Sequence, residues 1–207
     1  MRLSCHFLKL LAGLILLLSS AVAPAADAGA VSVVEKLHAT LLEAMKNADK
    51  LGFKGRYDII APVVESSFDT PLIAQVVLSR YWKELSPEQQ KQFVVLFNRL
   101  SASTYASRFD NFSDESFRTL GVEEMKKERL LVKTELVKKN DTPVKLEYLV
   151  QQNAGKWYII SVIADGVNDL ALKRAEYATI INDKGFDHLV TEIEKKLHEL
   201  ETPSSKK

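Results

Sequence analysis

The sequence predicts an α+β fold in which helices pack on an antiparallel sheet of three or four strands. Apolar residues recur at helical spacing before Asp110 and again after Gly166. Between these regions, runs of alternating apolar and polar side chains are separated by short turn sequences such as Asn153-Ala154-Gly155. Short turns join antiparallel strands, whereas a parallel crossover needs about a dozen residues or more. Helices, then a sheet, then helices is the order typical of the α+β class.

Two helices are predicted to open the fold. Residues Val33 to Lys50 place apolar side chains on one face, and Gly52 and Gly55 follow where this helix is expected to end. Helical spacing then resumes and continues to Phe68. Pro62 is expected either to kink this second helix or to begin its second half.

The third and fourth helices carry recognisable N-terminal signals. Asp69 or Thr70 can cap the third helix, whose residues through Leu78 are almost all apolar, so burial on most sides is expected. Ser86 and Gln89 form a capping box at the start of the fourth helix. Small residues in its second half leave room beside its aromatic side chains, either for another helix or for a ligand. These small residues are Ser101, Ala102, Ser103, Ala106 and Ser107.

The sheet is predicted from four segments. Phe117 to Met125 is a weak strand pattern, whereas Arg129 to Val137 and Val144 to Val150 alternate clearly. Trp157 to Ala164 carries no charge, so this strand is expected to be apolar on both faces. Strict alternation places Trp157, Ile159 and Ile163 on one face of this strand. Tyr158, Ile160 and Val162 then lie on the other face.

Two helices follow the sheet. The first begins after the Asp165-Gly166 turn and is expected to end at Lys184-Gly185, where glycine can adopt the left-handed cap conformation. The second runs from Phe186 to Leu200 with a continuous apolar face.

The first 25 residues are expected to be a signal peptide. Arg2 and Lys9 precede an apolar run from Leu10 to Leu18, and Ala23-Pro24-Ala25 supplies the small residues that signal peptidase needs before Ala26. An uncleaved N-terminal anchor is the alternative, although the run is too short to span a bilayer. The expected organisation is a signal peptide (1–25), a single domain (26–201) and a flexible tail (202–207).

Composition excludes some classes of partner. The chain holds 28 Lys and Arg against 27 Asp and Glu, and removal of the two basic residues of the signal peptide changes its net charge from +1 to −1. No basic stripe occurs, so nucleic acid is not an expected partner. Cys5 lies within the predicted signal peptide, so the mature chain is expected to be stabilised by burial alone.

No motif for metal, cofactor or catalytic chemistry is found. His38, His188 and His198 lie outside any His-Glu-x-x-His pattern and are expected to be surface or partly buried helix residues. Asp183 to Glu194 resembles a calcium loop but lacks the glycine and one oxygen ligand that such a loop requires. No Gly-x-Ser-x-Gly elbow or phosphate-binding glycine loop occurs. We therefore expect no metal, no cofactor and no enzymatic activity.

One enzymatic alternative remains open. Tyr148 and Tyr158 inside a curved sheet, with Asp165 at its edge, can form an apolar acid–base site of the kind that isomerases of steroid-like substrates use. Both tyrosines can equally pack in the core while Asp165 only makes the turn.

Two arginines fall in apolar surroundings. Arg80 lies within QVVLSRYW, and Arg174 lies at helical spacing within an apolar face. A buried guanidinium needs a partner, so each is expected to reach solvent or to pair with an acid such as Asp165 or Glu65. The functional alternative is contact with an anionic group at the mouth of a pocket.

Several segments, taken in order, resemble one known family. Ile163-Ala164-Asp165-Gly166-Val167, then Glu176-Tyr177, then Lys184-Gly185-Phe186 resemble the MlaC family of periplasmic phospholipid-binding proteins, also called toluene-tolerance proteins. The stretch VVLSRYWKELSPEQQKQFVVLF is similar to the arginine–aromatic–aromatic segment and the capped long helix of the same family. GFKGRYDIIAPVVESSFD and TYASRFDNFSDESF are more similar to its hopanoid-associated branch, HpnM. The resemblance extends from about Val33 to Leu200.

The resemblance implies a cone-like fold in which helices wrap a strongly curved sheet around an apolar cavity for acyl chains. It also implies a periplasmic carrier that moves a phospholipid or a hopanoid-type lipid between inner- and outer-membrane complexes. Arg80 and Arg174 are the candidate contacts to the lipid head group. The candidate cavity residues are Phe68, Leu72, Val76, Tyr81, Phe93, Phe97, Leu100, Tyr105, Leu146, Tyr148, Val150, Tyr158, Ile160 and Val162.

A carrier of this kind needs an enclosed site and no reactive group. Each methylene exposed to water costs roughly 0.8 kcal/mol, so a chain of about sixteen carbons costs on the order of 12 kcal/mol outside a cavity. One face of Trp157 to Ala164 is then expected to line the cavity, and the sequence does not distinguish which. The alternatives are an enzyme that acts on a polycyclic lipid on a similar fold, and an adapter whose apolar residues all belong to a filled core.

Overall fold

The structure, a computed structural model, describes residues 23–139 and 141–202. Within these ranges the chain forms six α-helices, a 3₁₀ helix and five strands, which confirms the predicted α+β class. The helices are α1 (Ala23–Lys46), α2 (Ala48–Ser67), α3 (Thr70–Leu78), the 3₁₀ helix (Ser79–Glu84), α4 (Pro87–Arg108), α5 (Asp169–Lys184) and α6 (Phe186–Glu201). The strands are β1 (Ser116–Met125), β2 (Arg129–Val137), β3 (Val144–Asn153), β4 (Lys156–Ala164) and β5 (Val167–Asn168).

Two parts of the predicted organisation lie outside the described residues: most of the predicted signal peptide (residues 1–22) and most of the predicted tail (residues 203–207). No helix within the described ranges is both long enough and apolar enough to cross a membrane.

Local start signals position α3 and α4 as the sequence predicts. The Asp69 side chain caps α3 and accepts a hydrogen bond from the Leu72 N–H at 3.1 Å. The capping box of α4 is complete, because the Gln89 N–H donates to Ser86 Oγ at 3.2 Å and the Ser86 N–H donates to Gln89 Oε1 at 3.0 Å. Asn168 caps α5 in the same way as Asp69 caps α3.

The first two helical segments change direction at Gly52, one of the two glycines at which the sequence predicts a break, but the helices have other bounds than predicted. α1 ends at Lys46, α2 begins at Ala48, and Pro62 lies inside α2. The non-helical backbone within α2 is at Gly52, with φ 59° and ψ −173°. Glycine adopts a positive φ with little strain because it has no Cβ. The change of direction therefore occurs at Gly52.

α3 is buried on one face only. Ile73, Ala74, Val77 and Leu78 are buried, whereas Val76 is 47% exposed. The expected burial of α3 on most sides is therefore wrong. Its neighbours α4, α5 and β4 contact the face that carries the buried residues.

The strands form one antiparallel sheet in the order β1–β2–β3–β4–β5. Val132 of β2 is opposite Tyr148 of β3, so the alternating buried sets of these two strands share one face, as predicted. The two-residue β5 was not predicted. It follows the Asp165-Gly166 turn, in which φ is 47° and 80°, and it returns the chain along the end of β4 before α5 begins.

A β-bulge interrupts the pairing of β3 with β4. Ile159 is opposite Val150 and Ser161 is opposite Leu149, so Ile160 has no partner of its own. An extra residue in one strand moves the following side chains to the other face of the sheet.

The bulge overturns the predicted division of β4 into two faces. Val162 is opposite Tyr148, and it therefore shares the helix-facing side of the sheet with Trp157 and Ile159. The prediction placed Val162 on the opposite face because strict alternation does not allow for an extra residue.

β4 is bound along both of its edges. β3 pairs with one edge. On the other edge, Phe68 forms an isolated parallel bridge with Ile159, and the Asp69 N–H donates to the Ile159 carbonyl at 3.1 Å. The connection between α2 and α3 is therefore attached directly to the sheet.

Two apolar clusters meet along α4. The first lies between α1, α2 and the inner face of the sheet and includes Leu37, Ile60 and Ala102. The second joins α3, α4, α5 and α6 and includes Phe93 and Leu189. The fully buried residues that α4 contributes are alanines in the first cluster, against which Tyr105 also packs, and larger side chains such as Phe93 in the second.

Candidate functional site

Helices α3, α4 and α5 and strands β2 to β5 surround a cavity of about 300 Å³. This volume is at the lower end of the range for ligand sites, roughly 300–1,000 Å³. A hollow between helices and sheet does not fit the adapter alternative, which required a filled interior. The predicted cavity residues that line its mainly apolar wall are Phe68, Phe97, Tyr105, Leu146, Tyr148 and Val162.

The other predicted cavity residues lie elsewhere. Phe93 and Leu100 belong to the second apolar cluster, and Val150 belongs to the first. Val76 faces outward from α3, and Ile160 is the unpaired residue of the bulge. The residues that do not line this cavity are Leu72, Val76, Tyr81, Phe93, Leu100, Val150, Tyr158 and Ile160.

The mouth of the cavity lies where its lining residues are exposed to solvent. These residues are Arg108 at the end of α4, Ala164 and Val167 beside the β4–β5 turn, and Asp169 at the start of α5. Lys173, one turn further along α5, is partly buried and its Nζ lies 3.7 Å from Asp169 Oδ2. The cavity is thus apolar inside and charged at its opening.

Tyr105 and Tyr148 place phenol groups in the wall. Burial raises the pKa of the Tyr105 phenol, with the Arg108 charge opposing the shift and the Asp169 carboxylate adding to it. Burial also raises the pKa of the Tyr148 phenol well above its ordinary value. Both phenols therefore stay neutral at neutral pH, and the inner wall carries no charge from them.

His38 supports the wall from behind. Its Nε2 lies 2.9 Å from the Tyr148 hydroxyl, and its ring stacks on Phe117 with 3.9 Å between centroids. The side chain is 4% exposed, and burial lowers the pKa of His38 to about 4. The expectation that the histidines are surface or partly buried residues is wrong for His38. Nothing in the local sequence pattern marks it, because its partners lie in the sheet.

The two predicted head-group arginines lie away from the cavity. Arg80 Nη2 donates to the Tyr81 hydroxyl at 2.6 Å, and Arg174 Nη2 donates to Ser79 Oγ at 2.9 Å. Both arginines are exposed, and neither lines the cavity wall. Of the two expected outcomes, both arginines therefore reach solvent, and their hydrogen bonds go to hydroxyl groups and not to acids. The basic residues at the mouth are instead Arg108 and Lys173, which the sequence interpretation did not single out.

The residues of the enzymatic alternative are not brought together. Tyr148 lines the cavity, but Tyr158 and Asp165 do not. Asp165 is exposed, and its Oδ1 accepts from the Lys145 N–H at 2.9 Å, which is the turn-forming role. Within the described residues, no group of three or more His, Cys, Asp or Glu side chains is arranged to hold a metal ion.

The small residues of α4 serve both purposes that the sequence left open. Ala102, Ser103 and Ala106 are buried, and Arg56 of α2 donates from Nε to the Ala106 carbonyl at 2.9 Å, so this side of α4 packs closely on a helix. Ser101 instead lines the cavity.

A second hollow, the α4–α5–α6 groove, has a volume of about 800 Å³. Its floor includes Leu100, Tyr177 and Ile193, and its rim carries both acidic and basic side chains. Thr104, Arg108 and Lys173 line this groove and the cavity alike, so the two hollows adjoin there.

The fold and the site together define an α+β protein with an apolar cavity between its helices and its sheet. The family model described as MlaC protein matches residues 35–195, and this chain belongs to the MlaC family.

Two relatives illustrate the similarity. The chain is 24% identical over 122 residues to the intermembrane phospholipid transport system binding protein MlaC of Haemophilus influenzae, and the match covers 57% of each chain. The chain thus spans a little over half the length of that relative. Its fold is similar to that of a phospholipid-binding protein from Ralstonia solanacearum, solved in complex with a phospholipid, with a TM-score of 0.73 at 20% identity over 86% of this chain and 99% of the other. At that identity the likeness establishes the fold alone.

Proposed function

We propose that this chain is a periplasmic lipid carrier that binds an acyl chain of a phospholipid in its cavity and moves the lipid between inner- and outer-membrane complexes. The observation that carries the proposal is the apolar cavity of about 300 Å³ between helices and sheet. Membership of the MlaC family supports it, as does the fold likeness to a phospholipid-binding protein. Export by means of residues 1–25 is part of the proposal.

The size of the cavity favours a flexible cargo. A rigid fused-ring lipid such as a hopanoid needs a wide slot, whereas an acyl chain can follow a narrow one. Ser101 lines the wall, but Ala102 and Ala106 are already in contact with the first apolar cluster, so the small residues of α4 add little width. We therefore place a phospholipid ahead of a hopanoid as the cargo.

The chemistry of transfer fits a protein without a reactive group. Moving an acyl chain from a bilayer into an apolar cavity leaves it out of water throughout, so the exchange is nearly neutral in free energy. The neutral phenols of Tyr105 and Tyr148 keep the wall free of charge. In this proposal the partner complexes supply the direction of transport.

Lipid extraction tests the proposal directly. Protein purified from lipid-producing cells is extracted with organic solvent, and mass spectrometry is expected to identify phospholipid. Protein that is empty as isolated, and that takes up no lipid from phosphatidylglycerol vesicles, would contradict the function.

Adjacent residues on opposite faces of β4 provide a matched pair of variants. Val162 lines the cavity, whereas Ile163 is opposite Glu147 on the other face, and both side chains are partly buried. Val162→Asp is expected to abolish lipid retention, because a carboxylate in an apolar wall must be hydrated. Ile163→Asp is expected to retain lipid. Equal retention by both variants would show that the cavity is not the binding site.

A further inference from the structure

The cavity and the α4–α5–α6 groove meet at Thr104, Arg108 and Lys173. The single donor hydrogen of the Thr104 hydroxyl is engaged, since it donates to the Leu100 carbonyl at 2.7 Å. The polar chemistry that this junction can offer to a ligand therefore comes from two cations, one on α4 and one on α5.

Arg108 is available to a ligand. Its side chain is exposed, and within residues 23–139 and 141–202 it forms no ion pair and no side-chain hydrogen bond. Its place in the last turn of α4 lets it interact favourably with the C-terminal end of the helix dipole. The helix dipole does not explain the cation at Lys173. This residue lies in the N-terminal half of α5, where the dipole gives a positive charge no advantage.

Lys173 is held only weakly by its acidic neighbour. The distance from Lys173 Nζ to Asp169 Oδ2 is 3.7 Å, and the Asp169 side chain is 56% exposed. Exposed ion pairs of this kind contribute little to stability. An anionic ligand at the mouth can therefore replace Asp169 as the partner of Lys173 at small cost.

We infer that this junction binds the head group of a lipid with net negative charge. Arg108 and Lys173 donate to its phosphate, the acyl chain fills the cavity, and the remainder of the head group lies in the groove. A guanidinium suits a phosphate because it can donate two parallel hydrogen bonds, and an ammonium adds a compact charge. The inference rests on the proposed function and adds the chemical class of the cargo.

The test measures which lipid the protein selects. Protein isolated from cells is incubated with vesicles of equal amounts of phosphatidylglycerol and phosphatidylcholine, purified again and extracted, and mass spectrometry gives the ratio of the bound lipids. The unaltered protein is expected to be enriched in phosphatidylglycerol, because phosphatidylcholine offers the same phosphate but brings a choline cation that Arg108 and Lys173 repel. The double variant Arg108→Gln, Lys173→Gln removes this repulsion and is expected to lower the ratio about tenfold, the equivalent of about 1.4 kcal/mol, while still binding lipid through the acyl chain.

Two further variants separate this role from general charge and from folding. Arg174→Gln removes a cation from the same helix at a position that lines neither hollow, and it is expected to leave the ratio unchanged. Asp169→Asn removes the competing carboxylate and is expected to raise the ratio, a direction that partial unfolding does not produce.

The outcomes distinguish the inference from the function beneath it. Protein that binds lipid with no anionic preference, or a double variant with an unaltered ratio, overturns the head-group site and leaves the carrier standing. A loss of preference in Arg174→Gln as large as in the double variant also overturns the site. Uptake of no lipid by the unaltered protein overturns the carrier, and the head-group site with it.

Discussion

Replacement of His38 by Phe is expected to change how stability depends on pH. The imidazole is buried between Phe117 and Tyr148, and burial lowers the pKa of His38 from 6.5 to about 4. Above pH 6.5 neither the folded nor the unfolded chain holds a proton on this ring. Between pH 6.5 and about 4 only the unfolded chain does, so stability falls as the pH falls through this window.

The size of the effect follows from the shift. A difference of one pKa unit corresponds to about 1.4 kcal/mol, so the change from 6.5 to about 4 lowers the free energy of unfolding by about 3 kcal/mol by pH 4. Carboxylates also titrate in this range, and the comparison with His38→Phe removes their contribution because both proteins share them.

Urea unfolding followed by circular dichroism at several pH values between 7.5 and about 4 measures the difference. The stability advantage of His38→Phe over the unaltered protein is expected to grow by about 3 kcal/mol across this window, whatever its value at neutral pH. Tyr148→Phe removes the hydrogen bond but keeps the burial, so it should retain most of the pH dependence. A difference between His38→Phe and the unaltered protein that is constant with pH would refute the assignment of burial as the cause.

Three further substitutions test individual contacts by chemical unfolding. Gly29→Ala places a Cβ 2.7 Å from Trp157 Cδ1, so the substitution is expected to destabilise the fold by about 1 kcal/mol or more. Alanine has the better helix propensity, so the same substitution is expected to become favourable in a Trp157→Ala background, where the clash is absent. Ser79 has φ 53° and ψ −121°, so Ser79→Gly is expected to stabilise by about 1 kcal/mol, and no gain would argue that this backbone is unstrained. Arg56 is buried and donates to the Ala106 and Ala48 carbonyls at 2.9 and 3.3 Å, so Arg56→Met is expected to cost about 2 kcal/mol, and a neutral result would show that water replaces these bonds.

Features that depend on neighbouring residues were predictable from the sequence. β2 has the predicted bounds, Arg129 to Val137, because alternation over nine residues is a local signal. The capping box at Ser86 was predictable for the same reason, since its two partners are three positions apart.

Features set by distant contacts were not predictable. The bulge at Ile160 leaves no mark on a strand whose residues are apolar on either face. His38 was unrecognised because its partners, Phe117 and Tyr148, belong to the sheet. Arg80 attracted interest through its apolar neighbours in sequence, yet a long cationic side chain can reach solvent from such a position.

The candidate site combines both kinds of feature. Tyr105 and Tyr148 could be named because aromatic residues at core spacing are natural wall residues. Arg108 and Lys173 could not, because they come from helices on either side of the sheet in the sequence and meet only when α4 and α5 pack around the cavity.

The attachment of the α2–α3 connection to the sheet offers a reporter of motion. The Asp69 N–H donates to the Ile159 carbonyl, and the adjacent Phe68 lines the cavity. Deuterium can replace this proton only when the helical layer separates from the strand. The exchange rate of a single amide thus measures how often the wall opens, and a lipid that braces the two layers should slow it.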